Sequence, residues 1–255
     1  MLKYFIQLSA MRAPKIIVYT CNTNQYDLPI RGVEQVKGSE LFFDECLNAK
    51  APKVLSHLYY PDADWTIWCD SNLKLLIKPE ELINFFDYPD IGVYTHDKRT
   101  SINDEIDACK AANLDSSQRL EMHRNMPGKL ACCFLIIRRK CPAVAAANAA
   151  WWAEITTKSK RDQLSFPYTM GPLATYRDIP HHPTQASNKS NLNDHFFRVP
   201  HKEKILEVVK REEKKDNLKI TDKELAKALN KIHKDQLFAY GGHVLPPTDG
   251  DLFDE

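Results

Sequence analysis

Apolar residues along this chain switch between two periods, and the switches mark out alternating strands and helices. Lys15-Ile-Ile-Val-Tyr-Thr20 is a β-branched run that ends in the polar stretch Cys21-Asn-Thr-Asn-Gln-Tyr-Asp27, the pattern of a buried first strand feeding a loop. Between Ser39 and Tyr60 the apolar residues Leu41, Phe42, Cys46, Leu47, Val54, Leu55 and Leu58 recur at helical intervals. Pro52, which has no amide hydrogen to continue a helix, divides that stretch into two short helices. Thr66 to Cys69 reads as the next strand, Pro79 to Phe86 as an amphipathic helix opened by proline, and Ile91 to Thr95 as another strand. Ile102 to Ala112 and Ser116 to Met126 are helical by spacing, Ala131 to Arg138 is a strand, and Pro142 to Lys158 is an Ala-rich helix. Such alternation predicts an α/β fold with a mostly parallel, mixed central sheet flanked by helices on both faces.

The pattern changes after Pro180. Residues His181 to Asp194 are polar and turn-rich, as expected of a flap or linker. Residues 201–235 are charged and helical, with Thr221-Asp-Lys-Glu224 as a capping box, and 246–255 form an acidic, frayed end. The expected organisation is one main domain over 1–200 and a charged helical extension over 201–255. With 255 residues, 43% of them hydrophobic, the chain can bury a sizeable core. Its 35 basic and 34 acidic residues nearly cancel, which argues against nucleic acid or an anionic membrane as the main partner. The seven cysteines lack paired CxxC spacing and read as reduced thiols. Neither a secretory leader nor an apolar stretch of membrane-spanning length is visible, so a soluble, cytoplasmic protein is expected.

Two segments carry candidate chemistry. Trp65-Thr-Ile-Trp-Cys-Asp70-Ser-Asn72 runs an apolar strand into a carboxylate and an amide. In an extended segment Asp70 and Asn72, two apart, point to one face, and their hard oxygen donors suit Mn²⁺ or Mg²⁺. The competing reading is a chain reversal with Asp70 as its Asx-turn. The second segment is Trp151-Trp-Ala-Glu154 with Ser159-Lys-Arg-Asp-Gln-Leu-Ser-Phe-Pro-Tyr168, where Arg161, Asp162, Gln163 and Ser165 crowd beside aromatic residues as at a pocket rim. Its competing reading is a helix capped by Ser159 with Asp162 in the first turn. Trp151 and Trp152 fit either a helix core or a sugar-stacking surface, with core the commoner role.

Together these segments resemble the DUF616 family of glycosyltransferase-like proteins, which includes plant members and, more loosely, sugar transferases of large algal viruses. The resemblance runs in order through Ile17-Val-Tyr-Thr20, Asn24-Gln-Tyr-Asp27, Lys53-Val-Leu-Ser-His57, Asp64-Trp65 to Asp70-Ser-Asn-Leu-Lys-Leu75, His96-Asp-Lys-Arg99 and Trp151-Trp152 to Arg161-Asp-Gln-Leu-Ser-Phe166. It implies a GT-A fold, a nucleotide-sugar-binding domain whose acidic turn holds a divalent metal against the donor diphosphate. Asp70-Ser71-Asn72 stands where many such enzymes carry two aspartates, so the site has one charge fewer. The implied metal is Mn²⁺, with Mg²⁺ second, held by Asp70 and Asn72 and completed by His201 or His195, with His181 and His182 behind them. The implied donor is a UDP-sugar, contacted by Thr20, Cys21, Asn22, Tyr26, Lys53, Asp70, Ser71, Asn72 and Arg99. Asp162 and Gln163, with Arg161 beside them, resemble the pair that retaining enzymes place beneath the sugar. An inverting enzyme needs a base, for which Asp97, Glu105 and Glu154 are candidates. The expected activity is transfer of a hexose or deoxyhexose to a glycan or glycoprotein, with retention. A catalytically weak nucleotide-sugar-binding scaffold is the alternative, and a nucleotidyltransferase ranks last because the chain lacks a Gly-rich loop after its first strand.

Overall fold

A computed structural model of the chain describes residues 12–23, 26–27, 29–96, 98–172, 176–179, 195–198 and 201. Contacts divide the chain into two units, Met1–Arg198 and Val199–Glu255. The flap expected over 181–194, the capping box at Thr221 and the acidic end lie outside the described residues, as do Asp97, His181 and His182.

The first unit is built on a six-stranded sheet in the order β2-β1-β3-β6-β5-β7. Its strands are β1 (Ile16–Thr20), β2 (Glu34–Gln35), β3 (Trp65–Cys69), β5 (Ile91–Thr95), β6 (Ala131–Arg139) and β7 (Tyr176–Ile179). The sheet is mixed: β1, β2, β3, β5 and β7 share one direction, and β6 runs against β3 and β5. β4 (Leu73–Leu75) and β8 (Phe196–Arg198) form a separate antiparallel ribbon. The helices are α1 (Glu45–Val54), α2 (Ser56–Tyr59), α3 (Pro79–Phe85), α4 (Ile102–Ala111), α5 (Ser117–Glu121), α6 (Pro142–Thr157) and α7 (Asp162–Met170).

Side-chain alternation along the strands feeds two cores. Ile67, Cys69, Leu82, Ile83, Phe86, Tyr94, Phe134 and Leu135 pack on one face, beneath α3 and the β4–β8 ribbon. On the other face Tyr19, Trp68, Val93, Ile136, Val144, Trp151, Ile155, Phe166 and Met170 pack beneath α1, α6 and α7. Each buried large apolar side chain contributes about 1.5–3 kcal/mol relative to exposure, so these layers hold the sheet between its helices. On α6 the buried positions Val144, Ala147, Asn148, Trp151 and Ile155 fall on one stripe, which sets the helix's roll. All seven cysteines are free thiols. Among the described residues no helix is long and apolar enough to cross a membrane.

Several local expectations need correction. Pro52 lies inside α1, and the break between the two helices falls at Leu55. The Asn48 carbonyl, which a residue other than proline would engage from position 52, instead accepts from the Ser39 amide at 2.9 Å. The helix expected over Ser116 to Met126 is a single turn ending at Glu121, followed by successive turns in which Asn125 has a φ of 62°. Ser159 is not the cap of α7: Arg161 occupies that position, and Ser159 Oγ accepts from the Arg161 amide one step earlier, at 3.1 Å. Asp70 to Asn72 is not extended either. The Leu73 amide donates to the Asp70 carbonyl at 2.9 Å and closes a β-turn, so strand alternation does not relate Asp70 to Asn72.

β6 also carries an irregularity beside the Asp70 turn. Val93 pairs with Ile136 but Tyr94 with Cys132, which leaves Cys133, Phe134 and Leu135 without opposites on β5. Bulges of this kind cluster next to functional sites because they re-aim side chains. Here the Phe134 carbonyl accepts the Asp70 amide at 2.8 Å, which fixes where the turn leaves the sheet.

Candidate active site

β1 is followed by β2 on one side and neighboured by β3 on the other, so the strand order reverses between β1 and β3. In open α/β sheets a crevice opens at such a reversal, outside the strands' carboxyl ends. Here the crevice is flanked by the loop after Thr20 and the turn after Cys69. The two are tied together, because Ser71 Oγ donates to Asp27 Oδ2, and Asp27 is itself buried. Asn22 braces that loop from within: its Nδ2 donates to the Asp27 carbonyl at 2.6 Å and its Oδ1 accepts the Asp27 amide at 2.9 Å.

Helix α1 brings two lysines to this end of the sheet. Asp44 caps the helix by accepting from the amides of Cys46 at 2.8 Å and Leu47 at 3.4 Å. Lys50 and Lys53, three residues apart, share one face of α1. Lys53 Nζ lies 2.6 Å from Asp162 Oδ2 and 3.4 Å from Asp70 Oδ1, while Lys50 Nζ lies 3.1 Å from Asp162 Oδ1. Trp68 Nε1 donates to the same Asp70 oxygen at 3.0 Å, and the Lys53 ammonium sits 5.5 Å from the centre of a Trp68 ring. One buried ammonium therefore joins the turn carboxylate of β3 to the first carboxylate of α7.

The electrostatics of that junction are one-sided. Burial alone would raise the Asp162 carboxyl, but Lys50, Lys53 and Arg161 outweigh it and hold the group far below the usual carboxylate range. Burial likewise works against the charge on Lys53, and Asp162 and Asp70 overcome it, keeping the ammonium well above the ordinary lysine value. Both groups stay ionised at neutral pH although Asp162 is 4% and Lys53 7% exposed. Asp70 keeps 41% of its side chain open to solvent.

A second chain of contacts continues from Arg161. Its Nη2 reaches Gln163 Oε1 at 3.3 Å and Glu105 Oε1 at 3.4 Å, and Arg99 Nε donates to the other oxygen of Glu105. Glu105, 1% exposed on α4, is thus clamped between two guanidinium groups. Gln163 Nε2 donates to the Ala131 carbonyl at 3.2 Å, which pins the start of α7 to the edge of β6. Trp151 Nε1 donates to the Asp162 carbonyl at 3.0 Å, and its ring packs edge-on against Phe166 at 4.9 Å. Trp151 is therefore a core residue that fixes the backbone of Asp162, while Trp152 meets Phe42 edge-on at 5.5 Å.

Lys53, Asp70, Asp162, Arg161, Gln163 and Arg99, each singled out from sequence, thus meet in one network. The remaining candidates are placed differently. Thr20 is buried in the sheet and its Oγ1 has no hydrogen-bond partner; burial pushes the Cys21 thiol up to about 11. Tyr26 is 48% exposed and lines a cleft of about 290 Å³ with Thr23, Glu45, Cys46 and Ala49. His195 Nδ1 lies 2.8 Å from the Tyr94 hydroxyl, and its ring packs on Phe85 at 4.1 Å. That position is beyond Leu75↔Phe196, at the end of the β4–β8 ribbon away from the Asp70 turn, so His195 is not brought to Asp70. His201 belongs to the second unit. Glu154 is engaged on α6 by Lys158 at 2.7 Å and by the Tyr168 hydroxyl.

The triad of Lys53, Asp70 and Asp162 falls within residues 33–182, the span matched by the TOD1/MUCI70 glycosyltransferase-like domain. The chain belongs to that family. It is the family of the DUF616 resemblance, and its match takes in Ser71, Asn72, Arg99, Glu105, Arg161 and Gln163 as well. A TOD1/MUCI70 relative, the probable hexosyltransferase MUCI70 of Arabidopsis thaliana, is 26% identical over 140 residues, covering 47% of this chain and 24% of that protein. The chain thus spans about a quarter of the length of that curated relative. No solved structure matches the chain.

Sequence reasoning passed over three residues that stand at or beside this crevice. Lys50 was legible as the residue three positions before Lys53 on one helix. Asp27 was legible in the polar loop, but its bond to Ser71 depends on the parallel pairing of β1 with β3. Arg198 lies opposite Leu73 in the β4–β8 ribbon, a pairing that no local signal announces.

Proposed function

We propose that this chain is a metal-dependent glycosyltransferase that moves a hexose or deoxyhexose from a nucleotide diphospho-sugar, with UDP the favoured nucleotide, to a glycan or glycoprotein acceptor with retention. The observation that carries the reading is the Lys53 bridge between Asp70 and Asp162 at the carboxyl ends of the sheet, in a chain of glycosyltransferase-like family. A GT-A arrangement accords with the mixed α/β sheet and with the crevice at its strand reversal.

The donor set suits a divalent cation that keeps much of its own shell. Among the described residues no group of three or more His, Cys, Asp or Glu side chains is placed to hold a metal. The chain would supply the half-exposed Asp70 carboxylate and the Asn72 amide oxygen, and diphosphate oxygens and water would complete the mixed oxygen shell that Mn²⁺ and Mg²⁺ accept. Such an ion, when bound, neutralises charge gathering on the departing diphosphate.

The chain's own groups do the remaining work. Tyr26 and the 290 Å³ cleft beside it, at the first turn of α1, suit a nucleoside fragment. Asp162, fixed and ionised, is assigned to stabilise positive charge at the sugar's reacting carbon, an oxocarbenium-like centre, once the lysines that now engage both its oxygens turn to the diphosphate. It is too acidic to serve as a general base at neutral pH. Glu105 is locked between Arg99 and Arg161, and Glu154 between Lys158 and Tyr168, so neither suits deprotonation of an acceptor. Of the candidate bases for inversion this leaves Asp97, which lies outside the described residues.

Thermal-shift measurements with UDP-, GDP- and dTDP-sugars, with and without Mn²⁺, test the reading, since a ligand of the native state raises the melting temperature. A UDP-sugar with Mn²⁺ is expected to give the largest shift, and Asp70→Ala to remove the metal-dependent part. A metal-independent shift with no release of UDP in any acceptor mixture supports the scaffold instead. Absence of any nucleotide-dependent shift overturns both.

A further inference from the structure

Arg198 is a cation at the far edge of the acidic turn. It closes the β4–β8 ribbon, opposite Leu73, the residue whose amide seals the Asp70 turn. Strands of a ladder stand about 4.8 Å apart, so the Arg198 backbone begins one strand's width from the end of Asp70-Ser71-Asn72. Residues directly opposite one another in an antiparallel pair share a face. Arg198 therefore lies on the same side of the ribbon as Leu73, Leu75 and Phe196, which pack in the core with Phe134.

Phe134 fixes the guanidinium. The Arg198 Cζ atom sits 4.3 Å from the centre of the Phe134 ring, a close cation–π contact. Phe134 is also the residue whose carbonyl accepts the Asp70 amide at 2.8 Å. Phe134 thus meets the acidic turn through its backbone and the guanidinium through its ring, the ring lying on the sheet face beneath α3 and the ribbon and the Lys53–Asp70–Asp162 contacts on the other. Arg198 Nε is buried and has no hydrogen-bond partner, and no carboxylate among the described residues pairs with the side chain. A partly desolvated guanidinium that meets no anion among the described residues is costly unless one is supplied to it, as a ligand can do. Arg99, Arg124, Arg139 and Arg161 each meet a carboxylate, whereas buried Arg138, like Arg198, lies over an aromatic ring and has unpartnered nitrogens, though it also reaches the Tyr19 hydroxyl.

We infer that Arg198 binds a phosphate oxygen of the donor's diphosphate, clamping it from the β8 side against the Asp70 turn. The inference rests on the transferase reading and adds to it a binding residue. Its planar fork of donors matches an oxyanion, and stacking on Phe134 holds the fork in one plane before the ligand arrives. Because the contact is to phosphate, it discriminates nucleoside diphosphates from nucleosides while leaving the base untouched.

Calorimetric titration of the 255-residue chain with UDP, GDP, dTDP, UMP and uridine, in buffer with Mn²⁺, separates the possibilities. Arg198→Met is expected to weaken UDP binding about 10- to 100-fold, the loss of a charged hydrogen bond, and to leave uridine unchanged. Arg198→Lys, which keeps the charge and an aliphatic stem over Phe134, is expected to fall between wild type and Arg198→Met, and it carries the test should the methionine variant not fold. Unchanged UDP affinity in a folded variant, with wild type binding UDP, overturns the assignment while sparing the transferase reading. An equal loss for uridine and UDP also overturns it, since that marks a structural role. Wild type that binds neither UDP, GDP nor dTDP overturns the transferase reading itself and the assignment with it.

Discussion

Lys53 Nζ stands 2.6 Å from Asp162 Oδ2, an ion pair that joins α1 to α7 with both side chains buried. Removing one partner of such a pair leaves a charge in a low-dielectric interior, and losses of about 3–5 kcal/mol are typical. Lys50 still faces Asp162, so Lys53→Met should lie near the lower end, about 3 kcal/mol by urea unfolding. Lys53→Met combined with Asp162→Asn should be less destabilised than the two single changes added together. Strict additivity in that double-mutant cycle would show that the pair is not coupled in solution.

Glu105 should behave as a keystone for two arginines. Glu105→Gln keeps the side chain's shape and removes the negative charge between Arg99 and Arg161. Hydrogen bonds to charged partners contribute about 1.5–3 kcal/mol each, so a loss of at least about 2 kcal/mol is expected in urea unfolding. Arg161 also contacts Gln163 beside Asp162, so kcat is expected to fall along with stability. A fully stable Glu105→Gln variant would mean that the clamp carries no energy.

Mild acid should loosen the chain through His123. Burial, helped by Lys158 and opposed by Glu154 and Asp115, lowers this imidazole from 6.5 to about 4. Its Nε2 accepts the Ser159 amide at 3.2 Å, so Nδ1 carries the proton towards the Tyr168 hydroxyl 2.8 Å away. The folded state holds the neutral ring, and between pH 4 and 6.5 the unfolded chain binds more protons. Stability is therefore fully present above pH 6.5 and falls as pH drops towards 4, by on the order of 2–3 kcal/mol. Protonation also removes the acceptor for Ser159, just before α7. Unfolding free energies measured across that window should show the slope in wild type and lose it in His123→Gln. An equal slope in both would assign it to other groups.

How far the sequence discloses this architecture depends on which interactions are local. β1, β3, β5 and β6 lie within a residue of their expected bounds because strands buried on both faces print continuous apolar runs. The direction of β6 leaves no such print, since side-chain alternation is identical for parallel and antiparallel pairing. The two- and three-residue strands β2, β4 and β8 owe their existence to partners rather than to propensity. Pro52 misled for the same reason, because the bond it cannot make is replaced by one from Ser39. At the site, Asp70 and Asp162 were visible as polar residues at the ends of apolar segments. The lysine joining them was visible only through a family likeness, and its geometry required the tertiary fold.

Gly92 offers a test of whether the sheet's packing reaches the site. On β5 a Cβ at this position would lie 2.8 Å from Phe86 Cδ1, closer than carbon atoms tolerate, and 3.2 Å from Pro89 Cγ, a tight contact. Gly92→Ala must therefore displace the Phe86 ring, and overpacking of this kind costs about 1–3 kcal/mol. Phe86 packs edge-on against Tyr94 at 5.2 Å, and Tyr94 in turn stacks on Phe134 at 6.2 Å. Phe134 holds both the Asp70 amide and the Arg198 guanidinium. Gly92→Ala is thus expected to lower the urea midpoint and, through that aromatic row, to weaken UDP binding. Phe86→Leu introduced beside it should recover part of both losses by making room for the added methyl. Recovery of stability without recovery of UDP affinity would show that the row does not connect Gly92 to the acidic turn.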